Sequence, residues 1–348
     1  MNQAATAKQI RPEVIFDPAR IDWSRRGKHH YQVAFHLDGS WGYSLVALTV
    51  INGLRGTNPN GVVAFGGTHG NEWEGPVAIK RLCQDLDAAE LAGRVILMPQ
   101  LSESACKANQ RFSPLDGVNM NRAFPGTPRG TISYRIADFV KTHVFPHVRV
   151  VLDIHSGGNE GVFPHVVSYH PVADPQQRAE MATVARLFDT PFVMIYSSQM
   201  ASGLLTDEAE AEGKITIGSE FGFAESVNRQ GTRHAYEGIK NVLRHYGLLN
   251  EPIVPIDEDR KAPTRFIQAA NLDNYVPAPR DGIWESLVAP GDDVRAGQII
   301  GRMHDFSDHT SPALDIEAPK DGVILMMHFP AVTRKGYTLF SIGDEVEL

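Results

Sequence analysis

The sequence predicts an α/β protein with a mainly parallel mixed sheet and helices on both faces, followed by a small C-terminal all-β domain. Through about Leu249, apolar strand-like runs alternate with amphipathic helical segments, and this βα order builds a largely parallel sheet covered on both sides. An acidic stretch marked by prolines, Glu251 to Asp259, then breaks the alternation. From about Ala262 onward, short alternating runs are punctuated by Pro-Gly, Asp-Gly and Lys-Gly, which reads as β structure with no convincing helix. The division therefore falls between a first domain of residues 1–255 and a β-rich domain of residues 256–348.

The elements follow in order. Val62, Val63, Ala64 and Phe65 form an apolar run that breaks at Gly66 and Gly67, and a helix is expected through Pro76, Val77, Ile79 and Leu82. Ile132 to Val144 reads as a helix whose apolar face carries Ile136, Phe139 and Val140. A second apolar run, Val148 to Ile154, ends on His155. Helices are expected over Pro175 to Phe188, Leu204 to Glu212 and Thr232 to Tyr246, and a short buried strand begins at Lys214 and ends on Glu220, between Gly218 and Gly222.

Chemistry gathers at these strand ends. His69 and Glu72 lie three residues apart where the first run stops, and His155 stands where the second stops. Strand ends of an α/β sheet open on one crevice. Two imidazoles and a carboxylate converging there make the His₂Glu set of a catalytic zinc, with the fourth position left for water. Gly70 is expected to let the chain turn between the two ligands, and Glu72 to sit in the first helical turn, where the dipole also favours it. Each residue alone has a plain structural reading, as a helix-start charge or a hydrogen-bonded core histidine; convergence favours ligation. Glu220 falls where a general base for an activated water has to sit. Asp153, two residues before His155 on a strand, shares its face and is either a hydrogen-bond partner of that histidine or a cap of the next turn. The remaining histidines show no ligand spacing.

His69-x-x-Glu72, the run Asn119-Met120-Asn121-Arg122-Ala123-Phe124-Pro125-Gly126, Asp153-Ile154-His155-Ser156-Gly157 and Glu220-Phe221-Gly222 together resemble the succinylglutamate desuccinylase/aspartoacylase family, itself related to zinc carboxypeptidases. The resemblance covers nearly the whole chain. It implies a carboxypeptidase-like sheet and one zinc per chain, held by His69, Glu72 and His155. It also implies Glu220 as general acid/base and Asn121 and Arg122 as the grip on a substrate carboxylate, a task suited to the two parallel donors of a guanidinium. Arg111 is the nearest candidate for the arginine that polarises the scissile carbonyl, although the segment Phe112 to Gly117 differs in length from aspartoacylase. The implied reaction is hydrolysis of the amide of a small N-acyl amino acid, releasing a carboxylic acid, expected to be acetate. Within the family, the Gly-Asn-Glu-Trp-Glu-Gly-Pro, Asn-Arg-Ala-Phe-Pro-Gly and Ile-His-Ser-Gly-Gly runs look most like the bacterial members that act on N-alpha-acetyl-L-2,4-diaminobutyrate.

Ala278-Pro279-Arg280-Asp281-Gly282, Val288 to Gln298 and Ala318-Pro319-Lys320-Asp321-Gly322 resemble the hammerhead of biotinyl and lipoyl carriers. A carrier needs a lysine at the hairpin tip, and Asp305 to Ser311 contains none. The tail is therefore expected to wall the active site. A metallocarboxypeptidase acting on peptide C-termini is the second enzymatic reading, against which a covering tail domain argues. A non-catalytic binding protein would require loss of a ligand or of the base, and all four positions are present.

The 348 residues, 42% hydrophobic and 21% charged, suffice for a sizeable core. A net charge of −8 without any Lys/Arg cluster argues against nucleic acid or an anionic membrane as partner. Cys83, expected in a helix, and Cys106, expected in a polar loop, suggest reduced thiols. Met1 to Gln9 carries no apolar leader core, and no run approaches the length of a spanning helix. A cytoplasmic enzyme of small molecules is expected, with homo-oligomerisation left open.

Overall fold

A computed structural model describes residues 11–197 and 202–347. Met1 to Gln9, read above for a leader, lie outside the described residues. The chain builds β1 (Glu13–Ile15), β2 (Gly27–His36), β3 (Tyr43–Asn52), β4 (Val62–Gly66), α1 (Glu74–Asp85), β5 (Arg94–Met98), α2 (Glu103–Ala108) and α3 (Ile132–Phe139). A wider turn over Val140–Val144 prolongs α3, so the expected helix changes its winding near its middle. Next come β6 (Val150–Ile154), β7 (Gly161–Val162), β8 (Val166–Tyr169), α4 (Pro175–Arg186), β9 (Phe192–Tyr196), α5 (Leu205–Ala211), β10 (Ile215–Glu220) and α6 (Arg229–His245). The last helix starts three residues before the expected Thr232, because the Asn228 side chain accepts from the Gly231 N–H and caps it.

The sheet order is β1-β2-β3-β5-β4-β6-β10-β8-β9 through this half. At its centre β5, β4, β6 and β10 run parallel, as their apolar residues on both faces require. Val62, Ala64, Val150 and Leu152 pack with Ile79 and Leu82 of α1, Met181 and Val184 of α4, and Ile239 and Val242 of α6. Val63, Phe65 and Val151 face the other way, onto Ile136 and Phe139 of α3 and Leu205 and Ala209 of α5. Antiparallel pairing enters beside this centre, in the ten-residue strands β2 and β3 and where β8 meets β10.

The tail adds β11 (Arg265–Ala269), β12 (Tyr275–Pro277), β13 (Gly282–Ser286), β14 (Asp293–Val294), β15 (Ile299–His304), β16 (Leu314–Glu317), β17 (Gly322–His328), β18 (Val332–Thr333) and β19 (Thr338–Val346), with only a short 3₁₀ turn at Leu272–Asn274. β11 pairs in parallel with β9 and antiparallel with β19, so the main sheet runs on into the tail. A four-stranded sheet, β16-β15-β13-β18, is separate from it. Trp284, Ile300, Leu339 and Phe340 form the core of this region. β7 pairs with β17, stitching the loop after His155 to the tail. Lys320 is tied to Asp344, its Nζ 2.6 Å from Oδ2. No helix among the described residues is long and apolar enough to cross a membrane.

Candidate active site

β4, β6 and β10 lie side by side in parallel, so their carboxyl ends deliver His69, Glu72, His155 and Glu220 to one edge. Three local expectations are corrected. Glu72 sits in the turn before α1, and Glu74 occupies the first helical turn. Gly67 takes the left-handed conformation, with φ of 65°; Gly70 is there for space, since a Cβ would come 2.0 Å from the Ala105 carbonyl carbon of α2. That helix also holds Cys106, which is buried rather than in a loop, and burial pushes its thiol up to about 12.

The Glu72 carboxylate is shared by both histidines. His69 Nδ1 lies 2.8 Å from Oε1, and His155 Nδ1 lies 2.8 Å from Oε2. The opposite ring nitrogens are held from outside: His69 Nε2 is 3.0 Å from Asn119 Oδ1 and His155 Nε2 is 2.7 Å from Asp153 Oδ2. Asp153 in turn accepts from Thr68 Oγ1 at 2.6 Å. Each Nε2 thus faces an oxygen from outside while both Nδ1 atoms face Glu72, the arrangement in which outer partners orient a metal-binding imidazole. The donor atoms of His69, Glu72 and His155 lie within 4.8 Å of one another and all three residues are buried. They can hold a divalent metal, and two nitrogens with a carboxylate suit zinc. Asp153 is thus the partner of His155, not a cap.

Glu220 closes β10 with its Oε2 buried and without a hydrogen-bond partner among the described residues. Burial first, and the Glu72 charge second, push its carboxyl up to about 8. Arg111 Nη1 stands 3.2 Å from Glu72 Oε1 and its Nε 3.5 Å from Glu160 Oε2. Asn121 spends its carbonyl oxygen on the Leu205 N–H at 2.9 Å, so its amide nitrogen turns to the site, 3.2 Å from His155 Nε2. That ring nitrogen already donates to Asp153, which leaves the Asn121 N–H for a ligand. Arg122 Nη1 donates to Asn121 O at 2.6 Å, the only hydrogen bond of its guanidinium among the described residues. Glu220, Arg111, Asn121, Arg122, His69, Asp153 and His155 line a cavity of about 230 Å³, with Tyr196, Thr206 and Ser219 from the first half and Tyr275, Met326 and Ser341 from the tail.

Sequence reasoning missed several residues. Glu74 is fully buried and accepts from Ser156 Oγ at 2.5 Å and from the Asn228 N–H at 2.8 Å. Ser156 also gives its N–H to Glu72 Oε2 at 3.1 Å, so Glu74 steadies the ligand turn from behind. The Gly-Asn-Glu-Trp-Glu run held that signal, as a second acid one helical step inside the first. Asn119, which the sequence shows only as part of a run, holds His69 Nε2 through its Oδ1. His170, which has no ligand spacing in the sequence, meets Asp207 and Glu210.

A mixed α/β sheet that gathers two histidines, a carboxylate and a partnerless acid at its strand ends, over a cavity with arginines, is the construction of a metal-assisted hydrolase. The model of the succinylglutamate desuccinylase/aspartoacylase catalytic domain matches residues 59–246. The chain is 33% identical over 343 residues, 97% of both proteins, to the N-alpha-acetyl-L-2,4-diaminobutyric acid deacetylase of Halomonas elongata. A succinylglutamate desuccinylase/aspartoacylase from Rhodobacter sphaeroides superposes with a TM-score of 0.88 at 30% identity, covering 94% of this chain and 98% of that one. The product-bound ectoine utilization protein EutE (DoeB) of Ruegeria pomeroyi gives 0.86 at 28%, covering 93% and 98%. The chain belongs to the succinylglutamate desuccinylase/aspartoacylase family, and is an amidohydrolase.

The Glu220 environment yields a stability test. In metal-stripped protein the folded form keeps this proton up to about pH 8, while the unfolded chain loses it near the ordinary 4.5. Between those values the folded state binds more protons, so stability falls as pH rises. Glu220→Gln removes that dependence. The gain in urea midpoint of the chelated variant over its chelated parent should widen from about pH 6 to about pH 8, and a gap that is constant across this range would count against a strained carboxylate.

Proposed function

We propose that the protein is a zinc-dependent deacylase of small N-acyl amino acids, removing an acetyl group, with N-alpha-acetyl-L-2,4-diaminobutyrate as the leading substrate. The observation that carries this reading is the pair of Nδ1 atoms turned onto Glu72 beside a partnerless Glu220, in a cavity that also holds Arg122. The likeness to the Halomonas elongata N-alpha-acetyl-L-2,4-diaminobutyric acid deacetylase supports the acetyl and diamino acid assignments. One zinc per chain, held by His69, Glu72 and His155, would lower the pKa of a water and polarise the amide carbonyl.

The chain's own groups do the rest. Glu220, kept protonatable by burial, takes the proton of the attacking water and returns it to the departing amine nitrogen. Asn121 Nδ2 and the Arg122 guanidinium bind the α-carboxylate and so fix where the acyl carbon lies. Arg111, between Glu72 and Glu160, turns its remaining donors to the carbonyl oxygen. Residues 1–255 are read as the catalytic domain and 256–348 as the β-rich wall. Tyr275, Met326 and Ser341 from that wall leave room for a small molecule and not for an extended peptide, which disfavours the carboxypeptidase reading. No part is assigned to nucleic acid or membrane, and the expected compartment is the cytoplasm.

Zinc-loaded protein assayed on N-acetyl amino acids and on blocked dipeptides should hydrolyse only the former. His69→Ala and His155→Ala should each abolish turnover, and elemental analysis of the double variant should find no bound zinc; full occupancy there would refute the ligand set. Glu220→Gln should keep its metal while kcat falls about 10²- to 10⁴-fold, and near-native turnover would leave Glu220 a structural role only.

Arg122→Lys keeps the charge but loses the planar fork. It should weaken acid substrates by about 1.5 to 3 kcal/mol, chiefly in KM, and leave the corresponding neutral amides nearly unaffected. Equal losses for both would mean that Arg122 serves only the Asn121 carbonyl.

A further inference from the structure

We infer that Glu225 is a positioning residue, whose carboxylate braces the segment bearing Arg111 against the turn bearing His69 and Glu72 and so aims Arg111 at the scissile carbonyl. The inference rests on the deacylase reading and adds to it a group that acts from outside the cavity.

The backbone singles Glu225 out first. Ala224 and Glu225 are two successive residues in the left-handed region, with φ of 58° and 53°, and neither is a glycine. Residues with a Cβ rarely adopt that conformation, and they keep it where surrounding contacts over-determine it; such positions cluster at working sites. Both lie in the loop between Glu220, at the end of β10, and α6. The base of that loop is zipped to the strand end bearing His155, by the Gly157 N–H to Gly222 O at 2.8 Å and the Phe221 N–H to His155 O at 3.1 Å.

The Glu225 side chain then ties the loop to two others. Its Oε1 accepts from Asn71 Nδ2 at 3.1 Å and its Oε2 from Asn109 Nδ2 at 3.1 Å. Asn71 is buried between His69 and Glu72 in the ligand turn. Asn109 ends α2, also left-handed with φ of 50°, and its Oδ1 accepts from Trp73 Nε1 at 2.8 Å. Between these two asparagines the Gly70 N–H donates to Gln110 O at 3.0 Å. One carboxylate therefore bridges the residue before Glu72 and the residue two before Arg111. Those segments carry the two ends of the contact between Arg111 Nη1 and Glu72 Oε1 at 3.2 Å. Both partners of Glu225 offer amide N–H groups, so two acceptor oxygens are required; a glutamine there would set one NH₂ against another.

A donor held where charge develops on the carbonyl oxygen matters more in the transition state than in the bound substrate. The substrate carboxylate is held by Asn121 and Arg122, to which none of these bonds leads. Loss of the brace should therefore appear in kcat and not in KM.

The test is a double-variant cycle on N-alpha-acetyl-L-2,4-diaminobutyrate with zinc-loaded wild type, Glu225→Gln, Arg111→Ala and the double variant, with zinc content and urea midpoint measured for each. Glu225→Gln should keep its zinc and lower kcat at least about tenfold while KM stays within about threefold. In the Arg111→Ala background the same substitution should change kcat less than about twofold, because the group it positions is gone. Equal falls in both backgrounds overturn the proposal, as Glu225 then acts without Arg111. An unchanged kcat beside a lowered urea midpoint also overturns it and leaves Glu225 a structural tie. Zinc lost from Glu225→Gln assigns the brace to the ligand turn and overturns it likewise. Should Glu225→Gln not fold, Asn109→Ala, which removes the bond on the Arg111 side, replaces it in the cycle with the same expectation. Should Arg111→Ala show no measurable turnover, the split between kcat and KM in Glu225→Gln decides alone. The adverse results in the variants leave the deacylase reading standing; wild type that hydrolyses no N-acetyl amino acid overturns that reading and the positioning role with it.

Discussion

Ser156, Glu72 and Glu74 form the junction on which the site depends. The Ser156 N–H holds Glu72 and its hydroxyl holds Glu74, so the strand end bearing His155 and the turn bearing His69 and Glu72 cannot move independently. Glu74 extends the junction to the start of α6 through the Asn228 N–H. It also explains Gly222, where a Cβ would lie 1.9 Å from Glu74 Oε1. The loop after Glu220 can therefore come close only because position 222 has no side chain. A fully buried carboxylate is tolerable when its oxygens are hydrogen-bonded, and here those bonds link three separate loops.

The centre of the fold was readable because strands buried on both faces must be largely apolar, as β4 is throughout and β6 is up to Asp153. Helix positions followed from periodicity for the same reason. What could not be read was pairing between distant segments. The β2/β3 ladder, the reversal of β8 beside β10, and the passage of the sheet through β9 and β11 to β19 depend on contacts that leave no local pattern. Helix starts shifted where a side chain far from the apolar stripe, such as Asn228, supplied the cap.

The candidate site divides along the same line. His69, Glu72, His155 and Glu220 stood out because rare residue types fell at strand ends next to glycines. Asn121 and Arg122 were reached through family likeness, and the structure brings both to the cavity. Glu74, Asn119 and Ser341 were beyond reach, since their importance comes from burial and from partners distant in sequence. The Glu74 to Asn228 bond spans 154 positions. Ser341 is an unremarkable strand serine until β19 turns it into the cavity.

Two glutamates a short way apart show how one cavity can give identical side chains opposite tasks. Burial alone would raise both. At Glu72 the two imidazoles overcome it and hold the carboxylate well below its ordinary range. Glu220 has no such partner, and the charge on Glu72 adds to its burial, so it rises to about 8. Environments that push paired acids apart are what separate a permanently ionised group from one that exchanges protons near neutrality. A cation at the histidines would strengthen the first effect directly, since Glu72 would bind it. Its pull on Glu220 would favour the ionised form, the state in which a base must begin. The division of labour between ligand and base thus follows from which carboxylate is flanked by imidazoles, and that follows from the parallel order of β4, β6 and β10.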